Sequence, residues 1–230
     1  MSEENKIFRE SQDCFELGLR AGAIVFRGVK ISAAGAELRA EIGAAVRDIR
    51  ARLSSPAEIR ALPEIVKHHE ILRKVGVKPR KHPPSVESLL RFAVRREALP
   101  SVNSLVDAYN LISVETHTSL GAHDLDRLAA PVELRLLRGE ESFTPLGSGE
   151  AEEVVAGEFG YVDARNRVIC RLDVLQADFS KVTTDSTNIL LIIEATTAHD
   201  RPNLEKVFAE TVQKVGEYCG GEAEVVAFPY

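Results

Sequence analysis

The chain has 230 residues, 44% apolar and 28% charged, a globular composition long enough for one large core or two small ones. With 29 Lys and Arg against 35 Asp and Glu the formal charge is −6, so nucleic acid would have to be met by a local basic patch and not by the whole surface. No run approaches the roughly 20 apolar residues of a bilayer span, and the polar start Met1 to Lys6 lacks the apolar segment of a secretory signal.

In chain order, Leu17 to Ile31 reads as a strand with flanking turns, Gly18 and Gly22 preceding Ala23-Ile-Val-Phe26. Leu38, Ile42, Ala45, Val46, Ile49 and Leu53 then recur at steps of three and four, the stripe of an amphipathic helix. Ser55-Pro56 is an N-cap and first-turn pair. Pro63 breaks or restarts that helix, and Leu62, Ile65, Val66, Leu72 and Val75 mark its buried side up to Gly76. The Pro-rich stretch Lys78 to Pro84 is an ordered loop. Ser85 caps a helix with Val86, Leu89, Leu90, Ala93 and Val94 on one face, and Pro100-Ser101 begins another that runs to about Val114.

From Val132 the period changes. Glu133 to Arg138, Phe159 to Val162, Arg167 to Arg171 and Ile189 to Ile193 read as strands, with Asp163 to Asn166 as a hairpin turn. A last helix carries Leu204, Val207, Phe208, Thr211, Val212 and Val215 and closes at Gly220-Gly221. Glu224 to Phe228 is a final strand. The pattern is a mixed α/β (α+β) chain, drawn as one domain over 1–230.

Cys14, Cys170 and Cys219 form no CxxC or Cys/His spacing, so the reading is three small buried thiols in a reducing, cytoplasmic setting. His68 and His69 are adjacent and point to different sides of a helix. They make a poor metal pair and read as solvent or interface histidines, and no metal or cofactor is expected. There is no phosphate-cradling GxxxxGK[ST] loop, no HExxH and no GxSxG.

Charge is segregated. Lys67 to Arg96 holds nine Lys and Arg against Glu70 and Glu87, and Glu140 to Asp163 holds seven acids with no Lys or Arg. Both segments suit a solvated face. The basic one also suits a phosphate-contacting surface, with Arg80, Lys81 and His82 presented by the stiff loop.

Two segments carry candidate chemistry. In Ser101 to Asp126, Val102, Leu105, Tyr109 and Ile112 form a buried stripe, while Asn103, Asp107 and Asn110 fall at i, i+4 and i+7 on a second face. That face is either exposed and capping or a polar wall for a ligand. In Ser180 to Glu194 a Thr-rich loop runs into a strand apolar on both faces and ends at Glu194, on the face of Leu190 and Ile192. A carboxylate there either reaches water or sits in a site.

Taken together, Val106-Asp-Ala-Tyr-Asn110, Leu120-Gly-Ala-His-Asp124, Glu133-Leu-Arg with Gly139-Glu140, and Ser180-Lys-Val-Thr through Thr187-Asn-Ile-Leu-Leu-Ile-Ile-Glu-Ala195 occur in an order that resembles the editing (B-three/B-four) domain of the bacterial phenylalanyl-tRNA synthetase beta subunit. The resemblance covers about 100–195, with 1–99 and 196–230 completing the fold. It implies a β-sandwich-like mixed sheet core with flanking helices, and a freestanding relative that hydrolyses the ester of a mischarged tRNA in trans. Such a second site raises fidelity by double-sieve logic, and water can make the attack without a nucleophilic Ser or Cys.

Carried over by position, Asn110 orients substrate or water and Glu194 matches the pocket carboxylate that reads a tyrosine hydroxyl. His123 is a general base if its pKa stays near neutrality. Asn103, Tyr109, Asp124 and Gln176 are expected to bind substrate, and Arg80, Lys81 and His82 to contact tRNA. The partner is a tRNA 3′ end or aminoacyl-tRNA, with no DNA and no membrane. The sequence departs from the family where Gly121 stands for its His, His123 for its Phe and Pro100 near its Arg, and where Cys170 to Gln176 replaces a small-residue stretch. The alternative is a non-catalytic module that binds tRNA or an amino acid.

Overall fold

The structure, a computed structural model, describes residues 7–229. Among the described residues nine strands form two sheets. β1 (Phe8–Glu10), β4 (Val132–Leu136), β5 (Phe159–Val162), β6 (Val168–Arg171) and β7 (Leu175–Gln176) lie in that order in the first, where only β1 and β4 run parallel. The second has the order β3 (Ser119–Asp124), β8 (Asn188–Thr196), β2 (Leu19–Arg27), β9 (Glu222–Ala227) and is antiparallel throughout.

The period of two sorts side chains between layers. Ala21, Ala23, Val25, Leu190 and Ile192 of the second sheet pack with Leu134, Phe159, Tyr161 and Ile169 of the first, so a core lies between the sheets. The alternate residues Ile24, Phe26, Leu120, Ile189, Leu191 and Ile193 meet α6 (Ser104–Thr116) and α7 (Arg201–Cys219) through Leu105, Ile112, Val207 and Phe208. β8 is therefore apolar on both faces, as a strand covered on both sides must be.

A third cluster holds the earlier helices: α2 (Ala36–Arg52), α3 (Pro56–Arg60), α4 (Pro63–Lys74) and α5 (Ser85–Arg96) pack through Val46, Ile49, Ile59, Ile65, Val86 and Leu90. Pro63 restarts a helix, taking the first-turn position where its missing N–H costs nothing. Among the described residues no helix is long and apolar enough to cross a membrane. The three cysteines are free and buried.

Several expected boundaries move. The chain before β2 forms a short helix, α1 (Gln12–Leu17), capped by Ser11. β3 lies in a segment whose Gly, His and Asp hide its strand period. Ser85 is not the cap of α5 but its first residue: the N-cap is Pro84, and the Ser85 N–H is accepted by the Asp173 carboxylate at 2.9 Å. α6 starts at Ser104, with Asn103 as its N-cap, and Val102 is left 66% exposed and off the buried stripe.

Candidate functional site

A cavity of about 340 Å³ opens between the two sheets under α5 and α6. Tyr109 and Asn110 line it from α6, Ser85, Ser88 and Phe92 from α5, Gly121 and His123 from β3, and Cys170, Asp173 and Gln176 from the other sheet and its β6–β7 turn. Its size lies at the lower end of small-molecule sites. Gly121 keeps the floor open, because a Cβ built there meets nothing within 4 Å.

Behind Gly121 and Asp173 the space narrows to a recess of about 30 Å³ lined also by Ser119, His123, Tyr161, Ile192 and Glu194. That is room for one water, which needs about 10–15 Å³ by this measure. Around it sits a buried cluster that the sheets and α4 bring together. Tyr161 of β5 and Glu194 of β8 are 2% and 3% exposed, and the phenol donates a short hydrogen bond to Glu194 Oε2. His68 of α4 faces the same carboxylate, its Nε2 lying 3.3 Å from Glu194 Oε1 and 3.6 Å from Asp173 Oδ2. Neither approach has hydrogen-bond geometry, so His68 Nε2 and Glu194 Oε1 are buried without a hydrogen-bond partner.

Asp173 is held by two donors, the Ser85 N–H on Oδ1 and the Ser119 hydroxyl on Oδ2 at 2.7 Å. Its backbone is left-handed (φ 63°), as is that of Leu172 before it (φ 54°). Two such residues in succession are uncommon outside glycine and turn the carboxylate inward.

Burial sets the protonation of this cluster. It pushes the Asp173 carboxyl up to about 7 against the lowering pull of Ser119 and Ser85. Glu194 is raised well above the ordinary carboxylate range by burial and then by Asp173, with the Tyr161 hydrogen bond opposing. His68 is pushed down to about 3, chiefly by burial, so its ring is neutral with a lone pair to offer.

Comparison with known proteins identifies the surrounding frame. The sequence model of the B3/4 domain matches residues 67–215, more than half of the chain. The chain belongs to the B3/4 domain family. A curated relative, the phenylalanine–tRNA ligase beta subunit of Haemophilus ducreyi, is 25% identical over 149 residues, which are 64% of this chain but 18% of that subunit. The crystal structure of an N-terminal fragment of the phenylalanyl-tRNA synthetase beta subunit from Pyrococcus horikoshii superposes with a TM-score of 0.50 at 10% identity, covering 95% of this chain and 50% of the fragment. That superposition shows a shared fold, in agreement with the mixed two-sheet architecture.

Within this B3/4 domain the anticipated residues divide. Asn110, Tyr109, His123 and Gln176 line the large cavity, and Glu194 and His123 the recess. Asn110 makes no side-chain hydrogen bond among the described residues, whereas the Gln176 amide donates to the Ala122 carbonyl at 3.1 Å. Asn103 and Asp124 line neither space. The Asn103 side chain accepts from the Val106 N–H, and Asp124 accepts from the Asp126 N–H and the Ser186 hydroxyl. Asp107 is likewise spent on the Val102 N–H and the Ser101 hydroxyl. Asn103 and Asp107 cap the helix, but both are buried and not exposed as the capping alternative expected.

His123 does not keep a pKa near neutrality. Burial drives it down to about 3, and Nδ1 is engaged with the Ser180 hydroxyl at 3.0 Å. A base that weak does not take a proton from water at pH 7, and His123 serves as a neutral polar wall. His68 and His69 are not surface histidines. Both are buried, His69 against Glu87 at 2.6 Å. The signal lay in the spacing, since His68 stands three residues after Ile65 and four before Leu72, on the inward face of α4. Tyr161 alternates with the inward Phe159, a period-two signal also open to inspection. Asp173 had none, because its position depends on a left-handed turn that no residue type announces.

Of the expected phosphate contacts, Arg80 and Lys81 are exposed and His82 is half-buried. Arg80 borders a surface hollow of about 680 Å³ together with Arg60, Arg73 and Lys78. The loop leads into α5, where Arg91, Arg95 and Arg96 flank Phe92, a residue shared with the cavity.

Proposed function

We propose that this B3/4 domain binds the aminoacylated 3′ end of a tRNA and hydrolyses its ester. The observation that carries the reading is the cavity: an uncommitted Asn110 amide lines it, and a one-water recess bounded by Asp173 and Glu194 shares its Gly121, His123 and Asp173 lining. An ester lying between them would have an amide to orient it and a polarised water within reach of its carbonyl, which are the positioning requirements of hydrolysis. The basic residues Arg91, Arg95 and Arg96 of α5 flank Ser88 and Phe92, which also line the cavity, and would meet the phosphates of the attached strand.

Glu194 has a different task from the one the resemblance implies. Its Oε2 is taken by the chain's own Tyr161 hydroxyl, and the recess that Glu194 lines has room for one water and not for the ring of a substrate phenol. The amino acid accepted here therefore has a smaller, non-phenolic side chain. A binding module without hydrolysis is the second reading, favoured by the neutral, engaged state of His123.

The test is titration of the ¹⁵N-labelled protein with 3′-aminoacylamino-adenosines, whose amide resists hydrolysis. The expected result is saturable shifts at Gly121, His123 and the Asn110 side chain with small amino acids, lost in Asn110→Ala. Shifts absent for every amino acid, or confined to residues outside the cavity, overturn the reading.

A further inference from the structure

We propose that His68, Asp173 and Glu194 form a binding site for one divalent transition-metal ion, with zinc the best match. These are the three residues among those described whose ligating atoms converge, all within 4.8 Å of one another. Convergence of acidic groups alone would mean little. Here two of the atoms, His68 Nε2 and Glu194 Oε1, are buried, aimed at each other's neighbourhood and without a hydrogen-bond partner. Unpartnered polar atoms in an interior are costly, and a cation between them removes the cost for both.

The spacing suits an ion. Two ligands each about 2.1 Å from a zinc ion, and separated by the observed 3.3 and 3.6 Å, subtend angles of about 105° and about 120°, close to tetrahedral. The third separation is no more than 4.8 Å, and closing it takes side-chain movement on the order of 1 Å. Binding displaces the protons that burial keeps on the two acids into solvent, and one neutral imidazole and two carboxylates then balance the +2 charge of the ion. A nitrogen ligand selects against calcium and magnesium, which prefer oxygen alone, and the Cys170 thiol that also lines the recess is not among the converging ligand atoms that would favour copper(I).

The surroundings have the form that supports metal ligands. The Ser119 hydroxyl and Ser85 N–H fix the Asp173 carboxylate, and the Tyr161 hydroxyl fixes the far oxygen of Glu194, leaving Oε1 for the ion. Three protein ligands leave a fourth position, and two of them, Asp173 and Glu194, line the recess, which has room for one water and shares Gly121, His123 and Asp173 with the large cavity. That is the arrangement of a zinc site with an open position rather than a closed structural one. The ion's binding does not depend on the hydrolytic reading, while its use in activating water rests on it.

The experiment uses the untagged full chain, stripped with chelator and dialysed. Zinc chloride is titrated against a chromophoric chelator competitor, and cobalt(II) serves as a spectroscopic stand-in. The expected result is one zinc per chain at micromolar or lower Kd, and visible cobalt bands of a low-coordinate N/O site. His68→Gln and Asp173→Asn are each expected to weaken binding at least tenfold with their circular dichroism unchanged. If either variant fails to fold, the cobalt spectrum of the unmodified protein decides, since surface carboxylates give only the weak bands of a six-coordinate ion. Absence of stoichiometric zinc, a six-coordinate cobalt spectrum, or affinity unchanged in folded variants overturns the proposal. No aminoacyl ester enters the measurement. A protein that binds zinc and hydrolyses nothing upholds the site and sinks the hydrolytic reading, and one that hydrolyses without binding zinc does the reverse.

Discussion

Replacing Tyr161 by Phe removes one oxygen and leaves the ring, so it isolates the bond that ties the two sheets together at the recess. Tyr161 is 2% exposed, and its ring packs near Phe8, with centroids 6.1 Å apart. Phe preserves that contact and opens no cavity of consequence. What is lost is the hydroxyl donated to Glu194 Oε2, in a carboxyl group whose other oxygen already lacks a hydrogen-bond partner. A buried polar group stripped of its partner costs about 1–3 kcal/mol. For a chain of this length each kcal/mol moves the melting temperature by about 2–4 °C, so a loss of about 2 kcal/mol lowers it by about 4–8 °C. Urea unfolding of the chelator-treated protein should show the midpoint falling with the m-value unchanged. A double-mutant cycle with Glu194→Gln should return a coupling of about 1 kcal/mol or more, since the two groups touch. A change below about 0.5 kcal/mol, the range of a surface substitution, would refute the claim that this bond organises the recess.

The cavity can be narrowed with little effect on the fold: Gly121→Ala should change stability by no more than about 0.5 kcal/mol, because a Cβ there meets nothing within 4 Å, and the larger Gly121→Val fills more of the cavity. It should also abolish binding of the aminoacylamino-adenosines, and retained binding in nuclear magnetic resonance titrations would place the ligand elsewhere. Glu10 tests burial by pH. Desolvation raises its carboxyl from 4.5 to about 7, so the folded protein holds a proton that the unfolded chain has released. Its contribution is full below about pH 4.5 and is lost as pH rises through 7. Glu10→Gln, neutral throughout, should remove a downward slope between those values worth at most about 3 kcal/mol. Parallel pH profiles for the two proteins would contradict this. Arg80→Glu and Lys81→Glu should weaken tRNA binding in filter assays and flatten its salt dependence by about 0.7–0.9 per phosphate contact removed. An unchanged slope would take the loop out of the interface.

The parts of the fold that were legible in sequence are those governed by periodicity. The stripe from Leu38 to Ile49 and the two-faced run from Ile189 to Ile193 report burial directly, and Pro63 marks a helix start by its own chemistry. The site was legible in part: Glu194 is a carboxylate entering an apolar run and is buried, although β8 continues past it to Thr196, and Asn110 is a polar residue on the helix that carries the buried Tyr109. It was obscured where one residue type serves two ends. Asn103 and Asp107 look like a ligand-facing wall at helical spacing, yet both are consumed in starting α6. It was invisible where distant segments converge. Ser85 and Asp173 are 88 positions apart and joined by one hydrogen bond, and His68 meets both acids across a helix–sheet contact. The departure from the family at Gly121 leaves the floor of the cavity open, and the Tyr161 hydroxyl occupies one oxygen of the carboxyl group behind it.

The most direct measurement is release of labelled amino acid from a panel of correctly and incorrectly charged tRNAs, with and without the purified protein and its Asn110→Ala variant. The account predicts selective release from a tRNA bearing a small, non-phenolic amino acid, and its loss in the variant. Release of tyrosine in preference to all others, or equal release by the variant, would contradict it.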